Sequence, residues 1–273
     1  MYRVLFIGKG TITTALATCL KRQAWSVHYH RRGMGWVTDI DTSVYDYVVC
    51  CLPDAEIARG VWNDVLIASV NSNTRKTVFI DISTLTCETI NTIHHAFSQA
   101  KLTFIEAPFT GSRTGALSGD LVYFAYSEVA LPGVDIFLQC TSRMIHCFNR
   151  PGAATEFKLF YNLWGLTALG LLGQMLSVLR TFSQSDLAVD ILTSHPEFWM
   201  GPIVKDKLDQ CMKRDFDDVH CMLKHAKKDL RYAIDEFSQC QLNLSRTLLS
   251  VLANKSGPSD DMLDFTSMCE FFK

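Results

Sequence analysis

The hydrophobic period of the chain changes once, near Pro151, and that change limits the architectures open to it. Upstream, short runs of β-branched and aromatic residues alternate with longer amphipathic stretches. Downstream, apolar residues recur only at helical spacing. The upstream runs fall at 3–7, 26–30, 47–52, 77–82, 103–106, 122–126 and 144–148, with helices expected between the early ones at 13–22, 55–70 and 87–99. Parallel neighbours need a crossover and a helix is the usual one, so this half reads as a parallel sheet covered on both faces. The downstream half reads as helices over 153–182, 186–193, 202–213, 217–240 and 242–254, interrupted at His195, Pro196, Gly257 and Pro258. The expectation is an α/β domain over residues 1–151 and an all-α domain over 152–273, joined by a helix entered directly from the last strand.

Composition narrows the partners. With 273 residues, 48% hydrophobic and 20% charged, the chain has material for a substantial core. A formal net charge of −2 provides no basic surface to displace counterions, so no nucleic-acid partner is expected. The ten cysteines form no CxxC pair and sit mostly in apolar runs. With no signal peptide ahead of the first strand-like segment, they read as reduced thiols of a cytoplasmic protein. Cys221 and His225 have the spacing to share a helix face, but two ligands are half a zinc site and no metal is expected. Residues 159–179 are apolar enough to imitate a membrane span. They contain Asn162, Gly165, Gly170, Gly173 and Gln174, and no second span accompanies them, so they read as a buried helix, with a membrane anchor as the minor alternative, and no membrane partner is expected.

The first chemical signal is the turn in VLFIGKGTITTALATCLKR, which places Gly8 and Gly10 directly after a strand and before a helix. Glycines there let the backbone approach a pyrophosphate, whose charge the free N–H groups of the helix start meet, with Thr11 and Ile12 among the expected contacts. Thr13 stands where a third glycine is usual, so the fingerprint is GxGxxT. Alone, such a turn is as compatible with no ligand as with one. The end of the next strand adds information: an NAD site usually offers a carboxylate to the ribose hydroxyls, whereas this chain offers His30, Arg31 and Arg32. Guanidinium forks suit phosphate, so the cofactor implied is NADP(H), against the alternative of solvated surface arginines.

Further segments follow in order: CLPD (51–54), DISTLTCET (81–89), EAPFTGSRTGALSGDL (106–121), GAATEFKLFYN (152–162) and KDL (228–230). Together they resemble the successive motifs of the β-hydroxyacid dehydrogenase family, which includes 3-hydroxyisobutyrate, 6-phosphogluconate and small-aldehyde-reducing enzymes. The resemblance runs along nearly the whole chain. It implies an N-terminal Rossmann-type domain, a helical C-terminal domain, a substrate cleft between them, and a homodimer formed through the helical domain. It also places Leu52, Pro53, Ser83 and Thr84 near the cofactor and has Lys228 close over it. For Ser83 and Thr84 the competing role is helix capping ahead of Glu88. Thr110, Gly111 and Ser112 form a glycine-containing turn able to hold the carboxylate of a small-molecule substrate, with Thr110 where the family generally has serine.

Lys158 and Asn162, four apart in an expected helix, face one side and can meet one ligand. A lysine at the start of a buried apolar helix is costly unless paired or employed, and burial moves a lysine toward the range useful for proton transfer. In this reading Lys158 is the general acid/base of hydride transfer between nicotinamide and a small β-hydroxy acid or its aldehyde or keto counterpart, and Asn162 orients Lys158 or the substrate hydroxyl. The plain alternative is a snorkelling lysine beside a capping or core asparagine.

Thr13, Ser112 and Ala154 replace family glycines, Glu106 replaces aspartate, and the interval from Arg32 to Tyr47 is too short for the helix and strand that relatives fit there. A loop with at most one abbreviated strand is expected instead, at the edge bordering the adenosine pocket. Two rival functions remain: imine reduction on the same scaffold, and a catalytically silent dinucleotide-binding or interaction protein.

Overall fold

The computed structural model describes all residues except 32, 36, 73–75, 134, 196–200 and 273, and only the backbone of 201–206. The chain divides into two compact units, Met1–Lys158 and Leu159–Lys273.

In the first unit the elements run β1 (Arg3–Ile7), α1 (Thr11–Arg22), β2 (Ser26–His30), β3 (Tyr47–Cys50), α2 (Ala55–Asn71), β4 (Val78–Asp81), α3 (Cys87–Gln99), β5 (Thr103–Glu106), β6 (Phe109–Thr110), α4 (Ser112–Ser118), β7 (Leu121–Ser127), α5 (Ile136–Thr141) and β8 (Ser142–Cys147), followed by the start of α6 (Ala153–Leu179). They build an eight-stranded sheet of order β2-β1-β3-β4-β5-β7-β6, with β8 also paired to β7. From β2 to β5 the neighbours are parallel, as the alternation of strands and helices implies. At β7 the sheet departs from the expected all-parallel arrangement, since β7 runs antiparallel to β5 and β6. β6 continues the direction of β5, both pairing with β7 in one register from Ile105 opposite Ser127 to Thr110 opposite Val122, and the chain reverses through α4 into β7.

Successive strand residues point to opposite faces, and the core is sorted accordingly. Val4, Phe6, Val49, Ile80 and Ile105 pack with Leu16 and Leu20 of α1 and Phe137 of α5. Leu5, Ile7, Val48, Cys50 and Phe79 pack with Trp62 of α2 and Phe97 of α3 on the other side. Burial on both faces explains why these strands are apolar throughout.

The 33–46 interval holds neither a helix nor a strand among its described residues, but 3-10 turns at Val37–Asp39 and Thr42–Val44. Thr42 is pinned from two sides: its hydroxyl donates to Ser69 Oγ of α2 (3.1 Å), and its carbonyl accepts from Thr77 Oγ1 (3.0 Å).

The second unit contains the rest of α6, then α7 (Ser185–Ser194), α8 (Gly201–Lys213), α9 (Leu223–Glu236), α10 (Asn243–Lys255) and 3-10 turns at Asp260–Met262 and Phe265–Phe272. α6 spans 27 residues and reaches a mean hydropathy of 1.3 over a window that is 44% buried; by length and composition alone it is long and apolar enough to cross a membrane. Here Leu163, Leu166, Leu169, Leu172 and Leu176 are buried, and Thr167 pairs with Ser245 of α10 at 2.8 Å. α9 begins later than its apolar spacing suggests, because Asp264 Oδ2 accepts the N–H groups of His220 (2.9 Å) and Cys221 (3.2 Å) and holds that segment out of the helix. Cys221 therefore precedes the helix that carries His225.

Candidate functional site

The last residues of the parallel strands lie in register, Ile7 beside Cys50, Cys50 beside Asp81, and Asp81 beside Glu106. The segments that follow these strand ends carry Gly8–Gly10, Leu52–Pro53 and Ser83–Thr84, at the edge where open α/β sheets bind ligands. Gly8 adopts φ +98°, which an L side chain rarely does, and its N–H donates to His30 O at 2.8 Å, tying the ends of β1 and β2 together. A Cβ placed on Gly10 would meet nothing within 4 Å, so the turn is open where the first N–H groups of α1 emerge. That opening fits a pyrophosphate. The fully buried Thr13 braces the same turn: its hydroxyl accepts the Gly10 N–H (2.9 Å) and stands 3.2 and 3.3 Å from the carbonyls of Gly10 and Gly8. The third position of the fingerprint therefore stiffens the turn from within.

Ser83 is 4% exposed, and its hydroxyl accepts the Leu52 N–H at 2.8 Å, so two of these segments are fastened to each other. The capping alternative for Ser83 is not realised, because Thr86 caps α3 through the Thr89 N–H. Asp54 of CLPD caps α2 by accepting from Ile57 N at 2.8 Å. Behind Ser83, Asp81 is 1% exposed and accepts from Trp62 Nε1 (2.6 Å) and Ser83 N (2.7 Å). Burial pushes its carboxyl up to about 6, against those two bonds. An unfolded aspartate titrates near ~3.9, so the folded chain binds this proton more tightly and loses relative stability as pH rises from about 4 to about 6, by about 3 kcal/mol. Asp81→Asn is expected to flatten the pH dependence of the denaturation midpoint across that window. An unchanged slope would acquit Asp81.

Glu106, fully buried at the end of β5, anchors the start of α6. Its carboxylate accepts the N–H groups of Gly152 (2.9 Å), Ala154 (3.0 Å) and Thr155 (3.3 Å), a charge placed at a helix N-terminus. His94 Nε2 lies 3.2 Å from the same carboxylate without the alignment of a hydrogen bond. Gly152 has φ +77°, and a Cβ there would stand 2.7 Å from Asn91 Oδ1, so glycine is required where the chain enters the helix. Lys158 follows in α6 and is 8% exposed.

Arg31 is exposed after β2, His30 is buried at 9% exposure, and Arg32 lies outside the described residues. Thr110 ends β6, half-buried, and Gly111 and Ser112 lead into α4. In the second unit, Asn162 Nδ2 donates to Asp229 Oδ2 at 2.8 Å, and Lys228 Nζ lies 3.0 Å from Asp229 Oδ1. Two further groups emerge that the sequence reading did not single out. Asp229 sits inside the quoted KDL motif, and Lys9, between the two glycines, holds its ammonium over the Tyr29 ring at 5.4 Å.

Residues 27–148 match the NAD binding domain of 6-phosphogluconate dehydrogenase, a match that starts beyond the glycine turn. In sequence the chain is similar to the mitochondrial 3-hydroxyisobutyrate dehydrogenase of Drosophila melanogaster, 25% identical over 152 residues covering 55% of this chain and 46% of that protein. The match thus spans about half the length of that relative. In fold it resembles the 3-hydroxyisobutyrate dehydrogenase of Mycobacterium tuberculosis solved with L-serine, at TM-score 0.79 and 18% identity, covering 100% of this chain and 99% of the other. It also resembles Psf3 solved with NADP+ and 2-OPP, at TM-score 0.81 and 20% identity, covering 98% of each chain. The Rossmann-type sheet followed by a helical region is common to them.

Proposed function

We propose, from the match of residues 27–148 to the NAD binding domain of 6-phosphogluconate dehydrogenase, that the chain is an NADP(H)-dependent oxidoreductase acting on a small β-hydroxy acid or its aldehyde or keto counterpart. The observation that carries this reading is the burial of Lys158 near the start of a helix whose first N–H groups are bonded to the last residue of β5. When bound, NADPH supplies the hydride. Lys158 gives its proton to the alkoxide oxygen as it forms, and as a neutral amine takes that proton back in the oxidative direction. The hydroxyls of Thr110 and Ser112 and the backbone at Gly111 hold the substrate carboxylate. Asn162, its amide fixed by Asp229, orients the reacting oxygen, and Lys228 contacts the cofactor. Gly8, Gly10, Thr11 and Ile12 would cradle its pyrophosphate, Ser83 and Thr84 would lie near the nicotinamide ribose, Leu52 and Pro53 would also contact the cofactor, and His30, Arg31 and Arg32 would receive the 2′-phosphate.

The test is a panel of small hydroxy acids, aldehydes, keto acids and imines with NADPH and NADH, followed at the nicotinamide absorbance. Turnover of a hydroxy acid or its carbonyl partner is expected. Turnover of imines alone would replace the substrate assignment, and binding without turnover of any compound would leave a silent dinucleotide-binding protein. Arg31→Ala is expected to weaken NADPH roughly ten-fold or more while sparing NADH, as loss of a charged hydrogen bond to phosphate requires. Equal losses for both cofactors would remove the arginine argument.

We assign the homodimer contact to the outer face of α6, where Phe160, Trp164, Leu171, Met175 and Val178 remain exposed. Sedimentation showing a monomer at micromolar concentration would set this contact aside. The reduced thiols fit a cytoplasmic setting.

A further inference from the structure

The second unit holds a pair of thiols that the proposed chemistry does not use. Cys211, in the last turns of α8, and Cys269, in the 3-10 segment Phe265–Phe272, bring their sulfurs to 2.8 Å. Both are buried, at 0% and 1% exposure. Disulfide sulfurs lie about 2.05 Å apart, so under about 1 Å of movement separates this pair from a covalent bond. We propose that Cys211 and Cys269 form a reversible redox site: a hydroperoxide oxidises them to a disulfide that ties α8 to the C-terminal segment, and a dithiol reductant opens it.

The surroundings assign the two roles. The hydrogen bond shared with Cys269 holds Cys211 below the usual thiol range against its burial, and the nearby Lys207 and Arg180 charges also lower it. The same bond, together with burial, raises Cys269. Arg180 is held in place, donating to Cys211 O at 3.3 Å and to Glu270 Oε1 at 2.8 Å. Cys211 is therefore the attacking thiolate and Cys269 the resolving thiol, and because both are buried the peroxide reaches them when the C-terminal segment opens locally from α8.

In the first step the Cys211 sulfur attacks one peroxide oxygen. The O–O bond breaks, the other oxygen leaves and takes up a proton to become water or an alcohol, and Cys211 becomes a sulfenic acid. In the second step the Cys269 sulfur attacks the Cys211 sulfur. The S–S bond forms, the S–O bond breaks, and the hydroxyl departs as water with the Cys269 proton. Two thiols have then given up two electrons and two protons to one peroxide, and a dithiol returns them by exchange.

The bond joins residues 58 positions apart and so restrains a long loop of the unfolded chain. It also clamps the C-terminal segment onto α6, because a Cβ at Gly173 would stand only 2.8 Å from Cys269 Cα.

The experiment treats the reduced full-length chain with hydrogen peroxide, blocks remaining thiols with an alkylating agent in denaturant, and maps peptides without reduction. The expected result is a cross-linked peptide joining Cys211 and Cys269, abolished by dithiothreitol, with a Tm for the oxidised chain higher by roughly 10 °C. Cys269→Ser should abolish both changes. Recovery of both cysteines as alkylated thiols would overturn the proposal. So would oxidation confined to the exposed Cys147 and Cys240, or bonds from either member of the pair to other cysteines. The map of the unsubstituted chain decides the matter even where Cys269→Ser fails to fold.

Discussion

Lys158→Met lowers kcat by roughly 10²–10⁴-fold in the expected result, the span that a positioned general acid commands, while NADPH affinity stays within about three-fold. Methionine keeps the length and apolar stem of the side chain and removes only the ammonium, so the change tests proton transfer rather than packing. Because the side chain is 8% exposed, bulk water is poorly placed to substitute for it. Lys158→Arg extends the test: guanidinium keeps the charge but does not give up its proton at working pH, so activity should remain lost if a neutral base is needed for oxidation. Cofactor affinity is readable from quenching of the five tryptophans, and kcat from nicotinamide absorbance. Unchanged kcat in Lys158→Met would end the acid/base assignment. A parallel fall in cofactor affinity would instead point to damage at the start of α6.

What the sequence revealed and what it concealed divide along sequence distance. The strand ends at Ile7, His30 and Glu106 and the bounds of α3 were legible because local propensity, hydrophobic period and capping residues agree there. The direction of β7 was not, since a short apolar run carries no sign of which way it lies beside its neighbour. The late start of α9 escaped for a similar reason. Its cause is Asp264, more than forty residues downstream of the backbone groups it captures. The glycine turn was legible as a motif, yet only coordinates show Thr13 bracing it rather than degrading it. Ser83 looked like a cap candidate and instead joins two strand-end segments, while the cap falls to Thr86.

Glu106 is the sharpest case of a site residue whose work lies across the chain. As a sequence feature it was a mild departure from the family aspartate. In the structure it bonds backbone groups 46 to 49 residues away and is the fixed point from which α6 leaves the sheet. The extra methylene, relative to aspartate, lengthens the reach from the end of β5 to the helix N–H groups.

Glu106→Ala is accordingly expected to destabilise the chain by about 3–5 kcal/mol, read as a lower urea midpoint at unchanged slope. Truncation leaves the N–H groups of Gly152, Ala154 and Thr155 facing a buried space without their acceptor, and each such loss costs about 1–3 kcal/mol, less where water enters the gap. It also removes the charge that complements the positive end of α6, and leaves His94 beside an emptied site. Glu106→Gln should fall between, because the amide keeps one acceptor oxygen but turns its N–H₂ toward backbone donors. Glu106→Asp keeps the charge at shorter reach and should retain more stability than either. A loss under about 0.5 kcal/mol in Glu106→Ala, the ordinary range of surface substitutions, would show that α6 is held at its start by something other than this carboxylate.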